Sequence, residues 1–163
     1  MAIKINRPPT PEPSPRALPL PEVVRDTLSD LLMRPCSVTK SDSTNVALLG
    51  VFCDASGKPL AALGADWSFC ALSAAALAMM PASTALEQAA AKELDETLHS
   101  CFFEVVNVLS RLLNGESVSH LKLTELLDAS SPLLLEMEAG RSRHLEITIE
   151  SYGTGKMSIY SLG

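Results

Sequence analysis

The sequence is poor in aromatic residues and in positive charge. The first deficit limits the make-up of the core, and the second limits the kinds of partner that the protein can bind. Phe, Trp and Tyr make up 4% of the 163 residues while apolar residues make up 47%, so the core must be mostly aliphatic and alanine-rich. Asp and Glu outnumber Lys and Arg by 19 to 13, which gives a net charge of −6. Because nucleic-acid binding depends on an excess of cations, we expect no nucleic-acid partner.

The chain also lacks the patterns of a membrane protein, a disulfide scaffold or a metal site. The longest apolar stretch, residues 69–80, is shorter than a bilayer span, and no apolar run follows a basic start. The four cysteines show no Cys-x-x-Cys spacing, and the three histidines have no second ligand at metal spacing. We expect a soluble cytoplasmic protein with reduced thiols, no membrane contact and no metal of its own.

Prolines are concentrated at one end of the chain. Seven of the eleven lie between Pro8 and Pro21, and that density removes backbone donors and blocks helix formation. We therefore predict an extended or disordered arm over residues 1–21, followed by a single domain over residues 22–163. A solvated tail is favoured over a docking motif for this arm.

Hydrophobic periodicity predicts the elements of that domain. Pro21 opens a helix that buries Val24, Leu28, Leu31 and Leu32 and ends before Pro35. The next predicted elements are a hairpin over residues 46–64, a buried helix over 68–80, a long helix over 85–113 started by a Thr84–Glu87 capping box, and strands over 120–127, 133–139, 145–149 and 156–162. This order predicts an α+β fold with a mainly antiparallel sheet packed against long helices.

The predicted helix 85–113 has two different faces. One is an apolar stripe of Leu94, Leu98, Cys101, Val105, Val108 and Leu112, and the other is a polar column of Glu93, Thr97, Ser100, Glu104, Asn107 and Arg111. Asn107 is the unusual member of the column, because asparagine in a helix interior costs about 0.6 kcal/mol relative to alanine.

The spacing Ser100-x3-Glu104-x2-Asn107 resembles the active-site helix of the CheX/CheC/FliY chemotaxis phosphatase family. That helix carries Asp/Ser-x3-Glu-x2-Asn, with a proline some twenty residues later, for which Pro132 is the candidate. Only one copy of the motif is visible, as in the single-site CheX type. The resemblance extends over residues 22–163 and implies a CheX/CheC-like fold.

The resemblance also implies an activity, a partner and a set of site residues. The activity is dephosphorylation of the aspartyl phosphate of a CheY-like response-regulator receiver domain, with Asn107 and Glu104 as catalytic residues. Asn107 would orient the attacking water and Glu104 would contact the receiver's active-site lysine, while Ser100 and Arg111 are candidate partner-binding residues. Mg²⁺ would come from the receiver, so no cofactor is expected in this chain. Family members of this type commonly form homodimers through sheet edges, and residues 156–162 are the candidate edge strand.

Two departures from the family pattern keep other interpretations open. The 24 residues between Asn107 and Pro132 exceed the usual gap, and Arg111 stands where the family tends to have a small residue. The alternatives are a non-catalytic docking or regulatory module of the same fold and an unrelated small α+β binding module with a solvated polar face. The enzyme is the interpretation that the motif favours.

Overall fold

The structure, a computed structural model, describes residues 16–115 and 118–162. The helices in these residues are α1 (Pro21–Leu32), α2 (Trp67–Leu77), α3 (Ala82–Ala91), α4 (Glu96–Leu109), a 3₁₀ helix (Ser110–Leu113) and α5 (Pro132–Ala139). The strands are β1 (Cys36–Lys40), β2 (Leu48–Cys53), β3 (Pro59–Ala65), β4 (Lys122–Asp128), β5 (Arg141–Ile149) and β6 (Gly153–Ser161).

The described strands form one sheet with the order β1-β5-β6-β3-β2-β4, in which every neighbouring pair is antiparallel. The predicted fold class, α+β with an antiparallel sheet against helices, is confirmed. The helix that starts at Pro21 and the hairpin β2–β3 also form as predicted, since the proline and the turn residues act locally.

Apolar side chains cover both faces of the sheet, because alternate residues of a strand point to opposite sides. The larger cluster joins one face to the first four helices through side chains such as Leu28, Phe69, Ala85 and Phe102. The smaller cluster joins the opposite face to α5 through Met137 and Tyr160. Helix α4, which carries the motif, therefore lies on the larger core.

The single helix predicted over residues 85–113 is wrong, because the chain turns between α3 and α4. Helix α3 ends where Lys92 adopts the left-handed conformation, with φ of 55°, and Asp95 starts α4 as its N-cap. The Thr84–Glu87 capping box is wrong as well, since the N-cap of α3 is Pro81 and makes no side-chain bond. Two helices with polar turn residues between them share the apolar period of one long helix, so periodicity alone does not reveal the break.

The strand predicted over residues 133–139 is α5. Ser131 caps this helix by accepting a hydrogen bond from the Leu133 backbone N–H, and Pro132 occupies its first turn. A short apolar run is too brief for its periodicity to distinguish a strand from a helix. Here the Ser131 cap and Pro132 in the first turn favour the helix. Strand β1 was not predicted, since its Ser, Thr and Lys residues resemble a loop in composition.

The last strand is not an edge of the sheet. Strand β6 pairs with β5 on one side and β3 on the other, so the expected edge at residues 156–162 is wrong. The edges among the described strands are β1 and β4. The homodimer stays a prediction, and any edge pairing would involve one of those two strands.

The predicted arm lies only in part within the described residues. Residues 1–15 lie outside them, whereas the following segment contacts the domain. The Arg16 guanidinium is buried and donates hydrogen bonds to the backbone oxygens of Leu113 and Ser119, the latter at 2.7 Å. Arg143 donates to the Pro19 oxygen at 2.9 Å. The chain therefore enters the domain beside the end of the 3₁₀ helix.

Three of the four cysteines are in the core. All four cysteines are free, with Cys36, Cys53 and Cys70 buried and Cys101 half-buried. Burial raises the pKa of the Cys70 thiol well above its ordinary value. Within the residues that the structure describes, we find no helix with the length and apolarity needed to span a membrane.

Candidate functional site

Helix α4 begins at a tightly bonded cap. The Asp95 carboxylate accepts from the Leu98 backbone N–H at 2.8 Å and from the Gln88 amide nitrogen at 2.7 Å. The Gln88 amide oxygen in turn accepts from the Asp95 backbone N–H at 2.8 Å. These bonds hold the pKa of the Asp95 carboxyl below its ordinary value. The bond from Leu98 has the largest effect and the bond from Gln88 the next largest. The start of the motif helix is thereby bonded to α3.

The inner face of α4 is anchored in the larger core. Phe102 and Val106 are fully buried, and the Phe102 ring meets the Phe69 ring of α2 edge-on, with centroids 6.4 Å apart and planes at 84°. Gly50 of β2 lets the helix approach the sheet, since a Cβ there would lie 2.6 Å from a methyl carbon of Val106. The helix is therefore held against both another helix and the strand beneath it.

The apolar stripe predicted for this helix is only partly correct. Leu98 and Val105 are buried, but Cys101, Val108 and Leu112 are half-buried. Phe102, Val106 and Leu109 are buried instead, so the buried face of α4 is rotated about the helix axis relative to the prediction. The rotation turns Val108 and Leu112 toward α1, where they line a groove.

The four predicted site residues share the outer surface of this region. Ser100, Glu104, Asn107 and Arg111 are all exposed; the first three belong to α4 and Arg111 belongs to the 3₁₀ helix. We call them the motif column. Glu93, which the sequence placed in the same column, lies in the turn before α4.

The polar ends of the motif column make no bonds to the described part of the chain. Within residues 16–115 and 118–162, no hydrogen bond or ion pair reaches the carboxamide of Asn107, the carboxylate of Glu104 or the guanidinium of Arg111. The Ser110 hydroxyl donates to the backbone oxygen of Asn107 at 2.5 Å and leaves its carboxamide free of that bond. The column thus presents a carboxamide, a carboxylate and a cation to whatever approaches the helix.

A groove of about 480 Å³ separates α1 from the end of α4 and borders the motif column. We call it the α1–α4 groove, and it is lined by Thr27, Asp30, Leu31, Val108, Arg111 and Leu112. Arg111 belongs to both the groove and the column. A molecule bound against Asn107 therefore has an apolar recess beside it.

Pro132 is not beside the motif. It opens α5, whose Leu133, Leu134 and Met137 pack on the sheet face opposite to the one that carries α4. The structure therefore brings three of the motif's elements together, Ser100, Glu104 and Asn107, and leaves the candidate proline on another layer.

A second polar cluster, which the sequence analysis missed, lies on that opposite face. His144 Nδ1 and the Ser158 hydroxyl oxygen are 2.5 Å apart, and Ser158 donates to the Thr44 hydroxyl oxygen at 2.7 Å. The Ser142 hydroxyl lies 3.3 Å from His144 Nε2. We call Thr44, Ser142, His144 and Ser158 the His144 network. Its signal in the sequence was weak, because Thr44 lies in a loop and because Ser142 and His144 precede the strand that was predicted over residues 145–149.

The His144 network joins the loop after β1 to the sheet. Since Ser158 donates to Thr44, its oxygen accepts from His144 Nδ1, and Ser158 itself is fully buried. Among the described residues, no group of three or more His, Cys, Asp or Glu side chains is placed to hold a metal ion.

Comparisons with known proteins identify the fold and no more. No family model and no curated protein matches the sequence. A chain of the FliM–SpeE complex from H. pylori superposes with a TM-score of 0.60 at 9% identity, covering 87% of this chain and 81% of that one. The FliM middle domain from Vibrio alginolyticus gives a TM-score of 0.57 at 8% identity, covering 86% and 88%.

A chain of the CheX–CheY complex with BeF3 and Mg from Borrelia burgdorferi gives a TM-score of 0.48 at 10% identity, covering 85% of this chain and 92% of that one. The fold argument depends on the FliM structures, whose likeness extends over most of both chains. The chain therefore has the CheC/FliM-like α+β fold, which is the fold that the motif in SCFFEVVN predicted.

Proposed function

We propose that this chain dephosphorylates the aspartyl phosphate of a CheY-like receiver domain in chemotaxis or another two-component pathway. The observation that carries the proposal is the state of Asn107: its carboxamide is exposed, has no hydrogen bond within the described residues, and shares a helix face with Glu104. A fold that also occurs in FliM agrees with the proposal but does not by itself imply the activity.

The chemistry of an aspartyl phosphate suits a carboxamide. Hydrolysis of this reactive acyl phosphate mainly needs a water held in line with phosphorus, since the transition state depends on position and charge stabilisation more than on a strong base. The Asn107 amide oxygen accepts a hydrogen bond from that water and brings no negative charge toward the phosphoryl oxygens. Mg²⁺ bound in the receiver would neutralise the phosphoryl charge.

The neighbours of Asn107 would hold the partner. Glu104 lies about 4.5 Å earlier along the helix axis, and its carboxylate would pair with the receiver's lysine, as the family resemblance implies. Ser100 and Arg111, one turn beyond on either side, would contact the partner surface. Because the inner face of α4 is packed against Phe69 and β2, these side chains enter the partner's site from a rigid support.

The test is a dephosphorylation assay with purified, phosphorylated receiver domains. We expect phosphate loss to accelerate with this protein, and the acceleration to disappear in Asn107→Ala. Thr97→Ala is the matched control, since Thr97 is also exposed on α4 but lies in its first turn, before the four residues of the motif column. Equal activity of Asn107→Ala and the parent would contradict the catalytic assignment.

A second candidate function is a docking module of the same fold without turnover. Two observations favour it: Arg111 places a cation that has no ion pair among the described residues beside Asn107, and Pro132 lies on the opposite face of the sheet. FliM occurs in a complex with another protein, SpeE, so proteins of this fold take part in protein–protein complexes. Binding of a receiver without acceleration would select this function. The third interpretation, a small α+β binding module with a solvated polar face, would be selected if the protein neither binds nor dephosphorylates any receiver.

A further inference from the structure

The His144 network borders a small pocket on the sheet face opposite to the motif column. The pocket has a volume of about 250 Å³. Its lining residues are Ser43, Thr44, Glu138, Ser142, His144 and Tyr160. Ser142 is exposed and His144 is half-buried, whereas Ser158 is fully buried. A hydroxyl, an imidazole and a cavity beside them are the components of a nucleophilic site.

The pairing of β5 with β6 brings these side chains within reach of one another. In the register of the two antiparallel strands, His144 lies opposite Ser158 and Ser142 lies opposite Tyr160. Since alternate residues of a strand point to the same side, Ser142 and His144 share one face. The Tyr160 ring meets the His144 ring edge-on, with centroids 6.2 Å apart and planes at 79°. The imidazole is therefore held by both its strand neighbours and an aromatic ring.

The hydrogen bonds determine which ring nitrogen of His144 carries the proton. Ser158 donates its only hydroxyl proton to the Thr44 oxygen, so the Ser158 oxygen bonds to His144 Nδ1 by accepting. Nδ1 is then the protonated nitrogen, and in the neutral ring Nε2 keeps its electron pair. The Ser142 hydroxyl, 3.3 Å from Nε2, is placed to donate to it. The ring is thus oriented as a general base toward an exposed hydroxyl.

Thr44 supplies a hydrogen-bond donor to the same pocket. Its oxygen accepts from Ser158, and among the residues that the structure describes we find no acceptor for its own hydroxyl proton. Since Thr44 lines the pocket, that proton is available to an oxygen atom bound there. Such a donor would stabilise the negative oxygen that forms when the carbonyl carbon of an ester is attacked.

We propose that Ser142 and His144 form a nucleophile–base pair that hydrolyses small acyl esters in this pocket. The Ser142 oxygen forms a bond to the carbonyl carbon while its proton passes to His144 Nε2. As the bond from that carbon to the alkoxy oxygen breaks, the imidazolium returns the proton and the alcohol leaves. A water deprotonated by the same nitrogen then hydrolyses the acyl-serine, which releases the carboxylic acid and restores both side chains. The exposed carboxylate of Glu138 favours neutral or cationic esters over anionic ones.

Hydrolysis of p-nitrophenyl acetate by the full chain, followed as release of p-nitrophenolate, tests this activity. We expect the rate above background to fall about 100-fold or more in Ser142→Ala and in His144→Gln. Ser37→Ala and His99→Gln are the matched controls and should hydrolyse the ester like the parent, since both residues are exposed outside the pocket. Hydrolysis by an imidazole alone would survive in Ser142→Ala. That result, full activity of His144→Gln, or a parent no faster than background would each overturn the proposal.

A covalent label identifies the nucleophile directly. A fluorophosphonate should form a phosphorus–oxygen bond with Ser142, with loss of fluoride and of the hydroxyl proton, and mass spectrometry of the digested protein should locate the adduct there. Ser142→Ala should remain folded in urea unfolding, because the position is exposed, and should not acquire the adduct. An adduct on a different residue, or labelling of Ser142 that persists undiminished in His144→Gln, would overturn the proposal.

Discussion

The motif column and the His144 network are two groups of polar side chains in different situations. In the His144 network, Ser158 is fully buried and bonded to both His144 and Thr44. In the motif column, Glu104 and Asn107 are exposed and, within the described residues, have no side-chain partner. A polar group bonded inside the protein contributes to folding, whereas an exposed and unbonded one is available to another molecule.

The difference also appears in the cost of each arrangement. An unpaired buried hydroxyl would cost about 1–3 kcal/mol, so the bonds of Ser158 are needed to keep it in the core. Asn107 loses about 0.6 kcal/mol of helix propensity relative to alanine, and its carboxamide makes no hydrogen bond to another described residue that would offset this loss. The two regions should therefore respond oppositely to substitution: activity should depend on the motif column and stability on the His144 network.

The largest expected effect is on activity, at Asn107. Asn107→Asp keeps the size of the side chain but adds a negative charge next to the phosphoryl oxygens, so we expect dephosphorylation to fall by about 10²-fold or more. The free energy of unfolding should change by less than about 0.5 kcal/mol, because the side chain is exposed. Receiver dephosphorylation and urea unfolding measure the two effects. If Asn107→Asp is stable and fully active, the motif column is an ordinary solvated surface with no role in catalysis.

The second-largest expected effect is on stability, in the His144 network. Ser158→Ala leaves His144 Nδ1 without its acceptor, and we expect it to lower the free energy of unfolding by about 1–3 kcal/mol while leaving receiver dephosphorylation unchanged. Ser142→Ala, at an exposed position of the same network, should cost less than about 0.5 kcal/mol. Urea unfolding of the three proteins provides the comparison. Loss of activity without loss of stability would assign the network to the functional site instead.

A smaller effect is expected at Glu104. Glu104→Gln removes the charge that would pair with the receiver's lysine, so receiver affinity should weaken about tenfold and the loss should shrink at high salt. Titration calorimetry at two salt concentrations measures it. Glu96→Gln, an exposed acid at the start of the same helix, is the control and should bind like the parent.

The smallest effect concerns the support beneath the motif column. The bonds at Asp95 depress its folded-state pKa below the unfolded value, so its contribution to stability is present above the unfolded pKa and lost as pH falls through the folded one. Asp95→Ala should therefore be less stable than the parent at pH 7, and the gap should begin to shrink near the unfolded pKa of about 4 and close once the pH is below the lower, folded pKa. Urea unfolding across this range tests it. A gap that persists at pH 2 would mean that the cap does not act through the carboxylate charge.

Local signals explain how much of the fold was predictable. Pro21 at a helix start, the turn between β2 and β3, and the alternation of Leu145, Ile147 and Ile149 each act over a few residues, and all three elements form. The failures involve competition between local signals. The apolar run after Pro132 suits a strand as well as a helix, and the turn at Lys92 is hidden within a helical period.

The candidate site was predictable as a set of residues but not as a surface. The spacing of Ser100, Glu104 and Asn107 places them on one side of any helix that contains them. Their exposure depends on which face of the helix is buried, and the prediction of that face was wrong. Phe102 and Val106 are in the core, whereas Cys101 and Val108 were expected there. The approach of Gly50 to Val106 and the edge contact of Phe69 with Phe102 decide that rotation.

The amino-acid order alone determined the element types near strong local signals, the acidic balance and the shared column of Ser100, Glu104 and Asn107, because each depends on neighbours within a turn or two. Only the tertiary structure decided that β6 lies in the middle of the sheet, that Pro132 is on the opposite layer, and that Val108 and Leu112 open a groove beside Asn107. Those features depend on contacts between residues distant in the chain, and such contacts are set by how the helices and the sheet bury their apolar faces together.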